Sequence, residues 1–199
     1  MPHGTSPSPP KIVLASASPR RRALLSDLGL SFAVEPARFD ESQVTDGDPV
    51  ARVKALADGK ALDVAGRHPD ALVIGADTIV VIDGTILGKP EDEEDARRML
   101  RLLSGRTHRV YTGVSLRHLA SGRHALEVEA TDVTFGPLTD EQIARYVATG
   151  EPMDKAGAYG IQGYGATLVR GIHGCYFNVV GLPLYRLARM LALFGVEVF

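Results

Sequence analysis

Ser16-Ala17-Ser18-Pro19-Arg20-Arg21-Arg22 is the first stretch of this 199-residue sequence whose residue types could do chemistry. Two hydroxyls precede three guanidinium groups, and Ser18-Pro19 has the form of a helix cap followed by the first helical residue. A helix N-terminus carries partial positive charge and disfavours each cation by about 0.3–1 kcal/mol. Three arginines there ask for an anion. A phosphate supplies one, because it meets the arginine forks and the unbonded N–H groups of the first turn together. The plainer alternative is that Ser18 only caps and the arginines face water. With no Gly-Lys-Ser/Thr present, the stretch is not a P-loop.

Gly75-Ala76-Asp77-Thr78 places a carboxylate at a glycine break between two apolar runs. Asp77 could ligate a metal ion or accept a proton from water; it could also be a turn-forming residue between strands. Gly88-Lys89-Pro90 offers Lys89 as a point charge for phosphate, against a solvated lysine in a turn. Lys60, late in a helical pattern, is favoured there by the helix dipole whether or not it has a ligand. Glu41, beside Asp40, adds a second carboxylate to what otherwise reads as a solvated acidic connector. The glycine-rich run Asp154–Gly163 carries Tyr159 and Gln162, a ring and an amide that could hold a base; core packing and a plain loop position are the alternatives. His108, His173 and Cys175 lack ligand spacing to one another, which argues against zinc.

The elements that must position these residues follow from periodicity. Lys11–Ala15 reads as a strand. A helix then carries Leu24, Leu25 and Leu28 on one face and stops at Gly29, before a strand over Ser31–Val34. Asp48-Pro49 opens a longer helix ending near Gly66. Ala71–Ile74 and Ile79–Ile82 read as buried strand, closed by a tight turn at Asp83-Gly84. The acidic block from Glu91 leads a helix with Ala96, Met99, Leu100 and Leu103 inward. His108–Leu119 and His124–Phe135 are expected to form a hairpin reaching beyond the central sheet. Thr139 and Gln142 fit a capping box, strands are expected near Thr167–Ile172 and Tyr176–Val180, and Pro183 starts the last helix. The mixture indicates an α/β (α+β) fold with a mixed sheet and flanking helices.

With 45% hydrophobic residues the chain has the balance of one globular domain, residues 11–199, after a Pro- and Ser-rich tail at 1–10 that is expected to be disordered. The net charge of −2 argues against broad nucleic-acid binding, so a phosphate site must be local. A lone cysteine, Cys175, forms no intrachain disulfide and fits a reducing compartment, with the cytoplasm as the expectation. No apolar run is long enough to cross a bilayer.

Taken in order, Ser16–Arg21, Gly75–Thr78, Gly88–Pro90, Ser104-Gly105 with His108, Gly150-Glu151-Pro152 running into Asp154–Gly163, and Gly181-Leu182-Pro183 resemble the Maf family of nucleotide pyrophosphatases, over about Lys11 to Leu191. The resemblance implies an elongated mixed sheet with two lobes around a cleft, similar to that of inosine triphosphate pyrophosphatases. It also implies magnesium- or manganese-assisted hydrolysis of a nucleoside triphosphate to monophosphate and pyrophosphate. Asp77 then stands where the family has its proton acceptor, and Glu41 where it has a residue for catalysis or metal. Ser16, Ser18, Arg20, Lys60 and Lys89 fall at phosphate-binding positions, with Arg21 beside them. Arg20, Thr78 and Gln162 fall at positions tied to substrate choice. The Asp154–Gly163 run is similar to the branch acting on dTTP and UTP, with housecleaning of modified nucleotides as a possible role, rather than the branch acting on 7-methyl-GTP. Relatives imply a homodimer. The rival expectation is a non-catalytic regulator of cell division that binds nucleotide or a protein partner.

Overall fold

The computed structural model describes residues 10–45 and 47–199; Pro10 apart, the stretch read as a tail lies outside the described residues. Seven strands form one mixed sheet: β1 (Ile12–Leu14), β2 (Phe32–Val34), β3 (Leu72–Ile82), β4 (Thr85–Leu87), β5 (Thr107–His118), β6 (Arg123–Phe135) and β7 (Val169–His173). Their order is β2-β1-β3-β5-β6-β7, with β4 on β3. β1 pairs in parallel with β2 and β3; every other pairing is antiparallel.

One edge of β3 sets up everything that follows. β1 covers Leu72–Ile74 and β4 covers Val80–Ile82, so from Gly75 to Ile79 the strand is paired only on its other side, by β5. The glycine at 75 is therefore not a break, since the strand runs through it unbroken. It is a seat for a helix. A Cβ there would lie 2.4 Å from the Ala57 carbonyl oxygen and 2.7 Å from the Ala61 nitrogen, and one at Gly113 would lie 2.5 Å from the Val53 carbonyl oxygen. Two facing glycines let the backbone of α2 (Pro49–Ala65) rest directly on the sheet. Asp48 caps that helix by accepting the Ala51 N–H at 2.7 Å. Its apolar face packs on residues of one parity, Ala71 just before β3 and Val73 at one end and Ile79 and Val81 at the other.

The opposite face of the sheet carries two cores. Leu72, Ile74 and Ala76 pack with α1 (Pro19–Asp27) and α6 (Leu184–Ala192), whereas Val80 and Ile82 pack with α3 (Glu93–Leu103) and α4 (Asp140–Val147). The lobes these cores define meet where the edge of β3 is bare. The capping box at Thr139 and Gln142 is present, and Asp92 caps α3.

Two expectations are corrected. The long hairpin does not reach beyond the sheet, because β5 lies between β3 and β6 and pairs with nine residues of β3. Tyr176–Val180 is not a strand but a short helix, α5. Its β-branched and aromatic composition is overridden by buried polar contacts: Asn178 Nδ2 donates to the Val110 carbonyl and to Thr131 Oγ1, while Thr112 Oγ1 donates to the Asn178 carbonyl. Among the described residues no helix is long and apolar enough to cross a membrane.

Candidate active site

The bare stretch of β3 floors a cleft of about 680 Å³, within the range of small-molecule sites. All ten residues singled out from the sequence line it: Ser16, Ser18, Arg20, Arg21, Glu41, Lys60, Asp77, Thr78, Lys89 and Gln162. Six cationic side chains and three carboxylates face the same space, so a protein of net charge −2 carries a locally positive pocket. Such a cleft concentrates anions.

On the α2 wall, Lys60 Nζ lies 2.5 Å from Asp77 Oδ1 and 2.9 Å from Glu41 Oε1. Lys60 and Asp77 are nearly enclosed, with side chains 14% and 11% exposed, and Glu41 is 57% exposed. Strand parity explains the meeting, since Asp77 shares the α2 face of β3 with Ile79 and Val81. Lys60 is thus paired with two carboxylates and not merely favoured by the helix dipole, and the turn reading of Asp77 fails because it lies within β3. One ammonium between two carboxylates leaves a net negative charge beside an otherwise cationic pocket.

The α1 wall is built by a cap and an arginine. Ser18 Oγ accepts the Arg21 N–H at 3.4 Å, and Ser16 Oγ accepts the Ser18 N–H at 3.2 Å. Arg21 is not solvated. Its Nε donates to the Gly181 carbonyl at 2.8 Å, one terminal nitrogen to Thr78 Oγ1 at 3.0 Å and the other to Ser16 Oγ at 3.4 Å. Burial pushes its guanidinium down from the usual arginine range, with Asp77 opposing. Arg21 thus spends three donors tying β3, α1 and the turn after α5 together. Arg20 reaches across to Asp154 at 3.0 Å, and Asp154 also accepts from Lys155 at 2.5 Å. Burial raises the Asp154 carboxyl, but the hydrogen bonds from Lys155 and Arg20 outweigh it and hold it below the usual range. Arg22 faces away from this cleft.

On the far wall Lys89 is exposed beside Gly88, whose carbonyl accepts the Gly157 N–H at 2.9 Å. Gln162 is exposed at the rim. Tyr159 is a core residue at 5% exposure whose ring packs edge-on against His108 and Phe135, with its hydroxyl 2.7 Å from His108 Nε2. Burial holds the His108 imidazole down at about 4, against about 6.5 for a free histidine. It folds neutral, so the stability that depends on it is complete above about pH 6.5. That stability declines as pH falls towards about 4, because only the unfolded chain takes up the proton in this window. His108→Asn is expected to flatten that loss; a denaturant series showing equal slopes for both proteins refutes the assignment.

Three charged cleft residues were not named as site residues from the sequence: Arg52, and Asp154 and Lys155, which open the glycine-rich run. Arg52 was the most legible, since Arg52, Leu56 and Lys60 recur one turn apart on α2 and share the cleft face. It has no ion pair among the described residues, and no group of three or more His, Cys, Asp or Glu gathers as for a metal among them.

The family description "Maf-like protein" matches residues 11–194. A protein of Moorella thermoacetica named dTTP/UTP pyrophosphatase is 59% identical over 189 residues, 95% of this chain and 97% of its own. One of Pelotomaculum thermopropionicum with the same name is 54% identical, covering 94% of this chain and 98% of its own. Another of Bacillus pumilus, also so named, is 48% identical over 95% of this chain and 99% of its own. A cleft that gathers the family's motif residues and a match over nearly every described residue place the chain in the Maf family.

Proposed function

We propose that this protein hydrolyses dTTP and UTP to the monophosphate and pyrophosphate, with residues 11–199 acting as one catalytic domain. The observation that carries the reading is the Lys60–Asp77–Glu41 arrangement on the bare edge of β3, inside a cationic cleft. The relatives' shared name supplies the substrate class. Domain unity is supported by the cleft itself, whose lining runs from Ala15 to Gly181. The single cysteine supports a reducing cytoplasmic setting.

Asp77 and Glu41 offer hard carboxylate oxygens, a donor set that suits magnesium or manganese and is too small without oxygens from the substrate. Such an ion, when bound, would neutralise charge on the phosphates. Asp77 accepts a proton from the attacking water. The water oxygen bonds to the α-phosphorus, the bond from that phosphorus to the bridging oxygen breaks, and pyrophosphate leaves with the electron pair. Lys60 holds Asp77 in place through the ion pair between them. Ser16, Ser18, Arg20 and Lys89 hold phosphate oxygens, Arg21 fixes the wall on which they stand, and Thr78 and Gln162 bear on substrate choice. Phosphoryl transfer of this kind needs positioning and charge more than covalent chemistry.

The test is a panel of nucleoside triphosphates with magnesium or manganese, with each product quantified. Monophosphate and pyrophosphate from dTTP and UTP fastest is expected. Orthophosphate release would overturn the bond assignment, and preference for 7-methyl-GTP would overturn the part given to Gln162. A non-catalytic regulator has no need of an enclosed lysine between two carboxylates, so that reading is not favoured. Arg52→Ala is expected to lower kcat/KM for dTTP roughly tenfold, chiefly through KM, as for loss of one charge-assisted hydrogen bond. An unchanged KM would remove Arg52 from substrate binding.

A further inference from the structure

From Glu35 to Glu41 the chain lies along α2 and is fastened to it at successive points. Glu35 holds Arg67 at 2.5 Å and His68; the Arg38 N–H donates to Asp63 Oδ2 at 2.7 Å; the Phe39 ring sits over Gly59; Glu41 meets Lys60 at 2.9 Å. Arg67, Asp63 and Gly59 are four residues apart, so these fasteners climb one face of the helix and just past its end.

Gly59 is the unusual member. Glycine in the middle of a helix weakens it relative to alanine, so its presence in α2 needs a packing reason. The reason is the aromatic ring: a Cβ on residue 59 would lie 2.4, 2.6 and 2.7 Å from three carbons of Phe39. Real Cβ atoms essentially never show such contacts, so the ring would have to shift from its seat. The short 3-10 turn Glu41–Gln43 is ordered within itself by Asp40, which accepts from the Ser42 N–H at 3.1 Å and the Ser42 hydroxyl at 2.7 Å. Those bonds shape the turn without saying where it stands. Phe39, two residues earlier, supplies the location.

We propose that the Phe39 ring seated on Gly59 is a clasp that places Glu41 on Lys60 and beside Asp77, making Phe39 and Gly59 positioning residues of the active site. The inference rests on reading Glu41 as a site carboxylate. Gly59→Ala tests it without endangering the fold, since alanine favours the helix. Four proteins are compared: wild type, Gly59→Ala, Glu41→Gln and the double variant. Two quantities are read, kcat/KM for dTTP with magnesium and amide hydrogen exchange at Gln43 and Val44, whose N–H groups bond within the turn.

Gly59→Ala is expected to lower kcat/KM about tenfold and to speed exchange at those amides, with no further loss when added to Glu41→Gln. A tenfold loss that persists undiminished on Glu41→Gln overturns the proposal, because the clasp would then act elsewhere. Unchanged exchange and rate in Gly59→Ala overturn it too. Should wild type fail to hydrolyse dTTP, or Glu41→Gln keep the full rate, the functional reading falls instead. The exchange arm still decides the clasp: faster exchange supports it and unchanged exchange sinks it.

Discussion

Asp77→Asn is expected to lower kcat by about 10²–10⁴-fold, the range for loss of a general base, while KM and the melting temperature move little. The amide is isosteric, and its oxygen can still accept from Lys60, whose ammonium keeps Glu41 as its second partner. What is lost is the capacity to take a proton, on a side chain too enclosed for another carboxylate to replace it: Asp77 is 11% exposed, and Glu41 stands on the other side of the lysine. Steady-state pyrophosphate release and a thermal melt check the two halves of the statement. A kcat within threefold of wild type would remove Asp77 from the proton-accepting role.

Gly75→Ala is expected to be damaging although it adds only a methyl group. The added methyl meets backbone: the Ala57 carbonyl oxygen at 2.4 Å, the Ala61 nitrogen at 2.7 Å and the Ala61 Cβ at 2.8 Å. A side chain could rotate away, but a helix can only lift. Overpacking of this kind costs about 3 kcal/mol, or about 6–12 °C in melting temperature for a chain of this size. Lifting α2 also draws Lys60 from Asp77, so activity should fall even where the protein stays folded. Gly136→Ala, where nothing lies within 4 Å of the added methyl, is the control and should be nearly silent. A Gly75→Ala protein melting within 2 °C of wild type, roughly 1 kcal/mol, would show that the two glycines are not the seat of the helix.

The sequence told more about identity of parts than about their partners. Ser18, Asp48 and the Thr139–Gln142 box were legible because a cap is a local contract between residues three positions apart. Eight of the ten site residues stand in the motifs, Glu41 and Lys60 came only with the family resemblance, and all ten line one cleft. Arg21 was not legible as a structural tie, since two of its three acceptors lie 57 and 160 residues away. Gly75 looked like an interruption because its one necessity, the close approach of α2, is a tertiary fact. The strand reading of Tyr176–Val180 failed for a similar reason: local propensity favours a strand there, and a single buried amide, Asn178, settles it otherwise.

The gap in the edge of β3 has a mechanical side. Because β3 passes unbroken beneath the cleft, with β5 and β6 alongside, the two lobes share a continuous ribbon of backbone rather than a loop that could swing. Widening or narrowing the cleft therefore means changing the twist of that ribbon, a strain spread over many dihedrals instead of concentrated in a few. Asp77 is carried on the bare edge of that ribbon, not on a loop between the lobes. A change in the opening of the cleft would therefore carry Asp77 with the strand, together with the residues of both cores that the strand bears.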